Sequence, residues 1–101
     1  MIQVIRERDV EKYFVKRVQD YGGVAEKFKS PGKPSVPDRL VSWPGGWVEF
    51  VELKAPGKKA TPAQKRDHAR RRRMAFTVSV LDSIESVDYW IKFLRLDVAV
   101  C

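Results

Sequence analysis

Apolar and polar positions change their period several times along this chain, and each change marks an element. Val10, Phe14, Val18 and Tyr21 recur at helical spacing with Tyr13 beside them, which predicts an amphipathic helix from about Arg8 to Tyr21. Gly22-Gly23 stops it. Val24 to Phe28 reads as a short strand, followed by a loop from Ser30 to Pro37 that is rich in proline. Arg39 to Trp43 and Trp47 to Lys54 are strands joined by the turn Pro44-Gly45-Gly46, a hairpin. Thr61 caps a second helix, with Pro62 in its first turn, running to about Met74. Phe76 to Leu81 alternates as a fourth strand, and Val87, Trp90, Ile91 and Leu94 mark a last amphipathic helix. The predicted order is α-β-β-β-α-β-α, an α/β sheet with helices against its faces.

One strand breaks its own pattern. In Trp47-Val48-Glu49-Phe50-Val51-Glu52-Leu53-Lys54, residues two apart share a face, so Glu52 and Lys54 project together while Val51 and Leu53 fill the other side. Ionised groups on a nearly buried surface are costly unless they pair or hold a metal, and Pro37-Asp38 opens the preceding strand. Each residue also has a plainer reading. A salt bridge across the pleat accounts for Glu52 and Lys54 taken alone, and an aspartate after a proline is an ordinary turn residue. Gln64 stands three residues after Thr61, the spacing of a capping box, which leaves it a cap, a site residue or both.

Composition narrows the class. The 101 residues suit a single domain spanning 1–101, with no room for a second. No apolar run approaches the roughly 20 residues of a membrane span, and Met1 to Arg6 lack a signal-peptide apolar core, so the expectation is a cytoplasmic protein without membrane contact. The single cysteine, Cys101, excludes an internal disulfide or a cysteine zinc cluster. The net charge is +7, from 20 Lys+Arg against 13 Asp+Glu. The excess surrounds the candidate site: Lys27, Lys29, Lys33 and Arg39 lie on one side of it in sequence, and Lys58, Lys59, Lys65, Arg66 and Arg70 to Arg73 on the other. Such clustering suits a polyanion, since lysines and arginines that neutralise phosphates release condensed counterions. The lone His68, on this basic helix, reads as an exposed or phosphate-contacting residue rather than a ligand.

The motifs in order resemble a known family. Val36-Pro37-Asp38-Arg39, then Phe50-Val51-Glu52-Leu53-Lys54-Ala55, then Gln64 at the start of the following helix, with Glu11 on the first helix, are similar to the virus-type replication-repair nuclease (VRR-NUC) branch of the PD-(D/E)xK superfamily. The resemblance covers the chain from the first helix to the fourth strand. One departure is visible: Ser35-Val36 stand where the family typically has a glycine ahead of the Pro-Asp.

The resemblance implies a restriction-endonuclease-like core of order α-β-β-β-α-β followed by a C-terminal helix. It implies Mg²⁺ (or Mn²⁺) held by Asp38, Glu52, the Leu53 carbonyl and Glu11, with Glu7 one turn earlier as the alternative helix ligand. Lys54 would orient the attacking water, and Gln64 would support the site. A divalent cation supplies the three things phosphodiester hydrolysis needs: a deprotonated water, charge stabilisation and help to the leaving oxygen. The DNA contacts would fall to Lys27, Lys29, Lys33, Arg39, Lys58, Lys59, Lys65, Arg66 and Arg70. Stand-alone members resemble Holliday-junction resolvases, which implies a homodimer acting on branched DNA in a bacterial or phage-infected cell. The apolar stripe Val87, Trp90, Ile91 and Leu94, or the hairpin around Trp43 and Trp47, would supply the interface. Three alternatives stand beside this reading: a flap- or nick-directed nuclease, a nuclease fold used only as a scaffold, and a double-stranded-RNA-binding module. The last shares the α-β-β-β-α order and basic residues such as Lys58-Lys59, but leaves Asp38, Glu52 and Lys54 unexplained.

Overall fold

The computed structural model describes residues 4–93. Its elements are α1 (Glu7–Asp20), β1 (Val24–Lys27), β2 (Arg39–Trp43), β3 (Trp47–Leu53), α2 (Pro62–Arg73), β4 (Val78–Leu81) and α3 (Ile84–Phe93). The predicted order holds, with the ends of the first five elements displaced by at most one residue. The fourth strand is shortened more: Phe76 is outside it and Phe50 N–H donates to the Thr77 carbonyl just ahead of it.

The four strands lie in the order β1-β2-β3-β4, antiparallel through β3 and then parallel between β3 and β4. A parallel neighbour requires a crossover, and α2 provides it. The register pairs Val41 with Glu49 and Arg39 with Val51, so Arg39, Val41, Trp43, Glu49, Val51 and Leu53 share one face. That face packs against α1 and α3 in a core that includes Val10, Phe14, Val18, Trp90 and Ile91. The other face, carrying Phe50, Glu52 and Val78, is covered by α2. Because both faces are covered, β3 is buried along most of its length instead of alternating.

Two expectations are corrected here. Val87, Trp90 and Ile91 are fully or almost fully buried against α1 and the sheet, with the Trp90 ring 5.4 Å from Phe14 and 6.0 Å from Trp43. They belong to the chain's own core and do not form a dimer surface, and Leu94 lies outside the described residues. Exposing such side chains costs about 1.5–3 kcal/mol each, which is why the helix docks internally. Trp43 is likewise buried, its Nε1 donating to Glu49 at 2.7 Å, so only Trp47 of the hairpin pair reaches solvent.

Gly23, just after α1, has no room for a side chain. A Cβ there would lie 2.6 Å from the Trp43 ring and 2.9 Å from Val18 Cγ1. Gly23→Ala therefore destabilises the fold by about 1–3 kcal/mol through overpacking, read as a lowered urea midpoint with an unchanged slope.

Candidate metal-dependent nuclease site

The end of β3 gathers the candidate residues. Asp38 immediately precedes β2, and its Oδ2 accepts the Leu53 N–H at 2.9 Å, which ties the loop to the edge of the site. Strand alternation turns Glu52 to the α2 face, where its Oε2 accepts from Gln64 Nε2 at 3.2 Å and lies 3.4 Å from Lys54 Nζ. Gln64 contacts both Thr61 and Glu52. Its Oε1 accepts from Thr61 N and its backbone N–H donates to Thr61 Oγ1, closing the capping box, while the same amide's nitrogen reaches Glu52.

Glu52 is 1% exposed. Burial first, then the hydrogen bond and charge of neighbouring Asp38, push its carboxyl up to about 8, against the pull of Lys54. Its Oε1 has no hydrogen-bond partner. Two carboxylates that resist joint ionisation, one with an orphaned oxygen, fit a divalent cation. Asp38 and Glu52 would hold it together with the Leu53 carbonyl, and such ions are held by one or two carboxylates plus waters. Among the described residues no group of three His, Cys, Asp or Glu side chains is assembled to hold a metal.

Glu11 stands apart from this pair. It lies on the α1 side of the sheet, 3.5 Å from Arg39 Nη2, because Arg39 shares the inward face of Val41 and Trp43. Arg39 itself is buried and donates from Nη1 to the Ala25 carbonyl at 3.1 Å, so it presents little to a phosphate. Glu7 is exposed in the first turn of α1. Leu53 puts its side chain in the core and its backbone N–H on Asp38.

The basic residues line surface grooves. A cleft of about 440 Å³ carries Asp38, Val36, Phe28, Lys29 and Lys33. It runs into a groove of about 460 Å³ that shares Lys33 and reaches Arg66, Arg70 and Arg73 on α2. A third, of about 440 Å³, is lined by Lys58, Lys59, Lys65, His68 and Arg72. Val36, one of the two residues ahead of Pro37-Asp38, forms part of the cleft wall. Lys27 is exposed on the edge strand β1.

The arginine run proves mixed. Arg71 is buried, paired with Asp67 at 2.8 Å and stacked 4.6 Å over the Phe50 ring and 5.2 Å over Phe28, so it cements α2 to the sheet. Arg70 also pairs with Asp67, and Arg72 donates to the Val78 carbonyl. The pair of Asp67 and Arg71 is absent from the sequence-based expectations, although a spacing of four on one helix is the signal that would have found it. His68 is not exposed: its ring is buried with Nε2 3.7 Å from Glu52 Oε1.

A mixed sheet with α2 crossing from β3 to β4, and an Asp and a Glu-x-Lys at adjacent strand ends, defines a restriction-endonuclease-like core of the PD-(D/E)xK type. No family model matches the chain. A protein of Acyrthosiphon pisum secondary endosymbiont phage 1 named "Putative nuclease p44" is 52% identical over 82 residues, 81% of this chain and 88% of the phage protein. A solved structure described as a VRR_NUC domain superposes with a TM-score of 0.83 at 35% identity, covering 89% of this chain and 98% of that one. The chain belongs to the VRR-NUC family of nucleases. Nucleases of this fold generally use divalent metals.

Proposed function

We propose that the chain is a Mg²⁺- or Mn²⁺-dependent endodeoxyribonuclease that acts as a homodimer on branched DNA, in the manner of a junction resolvase. The observation that carries the reading is the convergence of Asp38, Glu52 and Lys54 at the end of β3, with Glu52 buried and one of its oxygens unsatisfied. The carboxylates of Asp38 and Glu52 would hold the cation. Held there, a divalent ion would supply Lewis acidity toward the phosphate and a more acidic water. Lys54, mostly shielded from solvent beside Glu52, orients the attacking water and adds positive charge where the phosphate gains negative charge. Lys29 and Lys33 in the cleft and Arg66, Arg70 and Arg73 beyond it hold the backbone on the approach to Asp38. Phosphate contacts of this kind carry no sequence information, which favours structure over sequence as the thing recognised. A double-stranded-RNA-binding role gives Glu52 and Lys54 no task, and the intact carboxylate pair argues against a mere scaffold.

Cutting a four-way junction symmetrically needs two sites related by a twofold axis, and a chain this short has one. The dimer surface must come from residues the core leaves outside, such as Tyr89 and Phe93, exposed together on α3 with rings 5.1 Å apart. Labelled four-way junction, flap, nicked duplex, duplex and single strand are incubated with Mg²⁺, Mn²⁺ or EDTA, beside light scattering at micromolar protein. Paired incisions of the junction by a dimer, abolished by EDTA, are expected. A monomer that cuts flaps or nicks and leaves junctions intact moves the assignment to a flap- or nick-directed nuclease.

A further inference from the structure

One helix brings a side chain up to each oxygen of Glu52. Gln64 and His68 are four residues apart on α2 and therefore project from the same face toward β3. Gln64 Nε2 donates to Oε2. His68 Nε2 faces Oε1 at 3.7 Å, and each of these two buried atoms has no other hydrogen-bond partner. Buried polar atoms are almost always satisfied, so two that face each other across a gap are a pair to be explained. A movement of under about 1 Å brings them to ordinary hydrogen-bond distance.

We propose that His68 is a positioning residue whose imidazole donates its Nε2–H to Glu52 Oε1, so that His68 and Gln64 together fix the plane of the carboxylate that would face the cation. The inference rests on Glu52 as a cation ligand and adds the group that aims it. The His68 ring also lines the groove of Lys58, Lys59, Lys65 and Arg72. Of the two imidazole nitrogens, Nε2 is the one that faces Glu52 Oε1, so it is the one that would carry the proton. Partners that orient metal-binding side chains commonly matter to metal affinity by about 10–100-fold.

The chain has a single histidine, so its imidazole nitrogens can be read without assignment. In metal-free protein at pH 7.5, ¹⁵N spectra are expected to show a neutral ring protonated at Nε2, with that resonance shifting in Glu52→Gln. A ring protonated at Nδ1, or one indifferent to Glu52→Gln, overturns the proposal. Calorimetric titration with Mn²⁺ tests the consequence. His68→Phe, which keeps the volume and removes the donor, should weaken Mn²⁺ about 10–100-fold, while His68→Gln, which returns an N–H near the Nε2 position, recovers to within a few-fold. Equal Mn²⁺ affinity in wild type and His68→Phe overturns the positioning role. A wild type that binds no Mn²⁺ overturns Glu52 as a ligand and with it the aiming role, while the ring's tautomer still reports separately on the contact.

Discussion

Asp38→Asn, Glu52→Gln and Lys54→Ala each lose DNA cleavage by roughly 10²–10³-fold or more while DNA affinity in EDTA stays near wild type. Affinity resides in the lysines and arginines of the grooves, and the charge changes at the site are small beside them. Asparagine is the informative choice at position 38, because its amide oxygen still accepts the Leu53 N–H that Asp38 accepts now. Alanine there would orphan a backbone donor and confuse lost chemistry with lost structure. Glutamine at 52 keeps the volume and removes the charge. Single-turnover cleavage of labelled DNA with Mg²⁺, alongside anisotropy binding without it, separates the two effects. Wild-type cleavage in all three variants would leave the site without a function.

Metal-free protein loses stability as the pH rises from 6.5 to 8, and a divalent cation restores it. The sign follows from Glu52, whose carboxyl is raised from 4.5 to about 8 in the fold. Between those values the unfolded chain has released the proton and the folded chain still binds it, so stability falls with rising pH at up to about 1.4 kcal/mol per unit. His68 acts oppositely, but lower down. Its pKa is depressed in the fold, so its contribution is lost as pH falls below the unfolded value of 6.5. Among the described residues the other perturbed groups are Asp20, Asp67, Tyr13 and Arg17, which titrate outside this window. Across pH 6.5 to 8 the loss amounts to about 2 kcal/mol, or on the order of 10 °C in Tm for a domain of this size. Glu52→Gln should flatten that fall. Millimolar Mg²⁺ or Mn²⁺, binding the folded site alone, should raise Tm more at pH 8 than at 6.5, since the cation favours the ionised carboxylate. Melting curves in EDTA with and without added ion decide it; a Tm equally flat with pH in wild type and Glu52→Gln would show that Glu52 ionises freely.

Local chemistry makes much of this protein legible in its amino-acid order. Helical stripes, the turn Pro44-Gly45-Gly46, the capping pair Thr61 and Gln64 and the alternation that puts Glu52 and Lys54 on one face depend on residues a few positions apart, and the fold contains all of them. The Asp38, Glu52 and Lys54 grouping is equally visible, because its members lie on one hairpin whose pairing the turn dictates. What a stripe packs against is a different kind of fact. The apolar face of α3 looks the same whether a second chain or α1 covers it, and only the fold shows Val87, Trp90 and Ile91 closing on Phe14 and Trp43. Charge is similar: twenty basic residues suggest a polyanion, yet which of them turn inward depends on the face each strand or helix offers. Arg39 follows Val41 and Trp43 toward Glu11, Arg71 stacks on Phe50, and His68 faces Glu52, all because a sheet covered on both sides leaves those positions no route to water. Periodicity and turn chemistry act over one or two turns of chain and are written in the sequence; burial and the partners of a buried charge are set by segments far apart, and only the tertiary structure decides them.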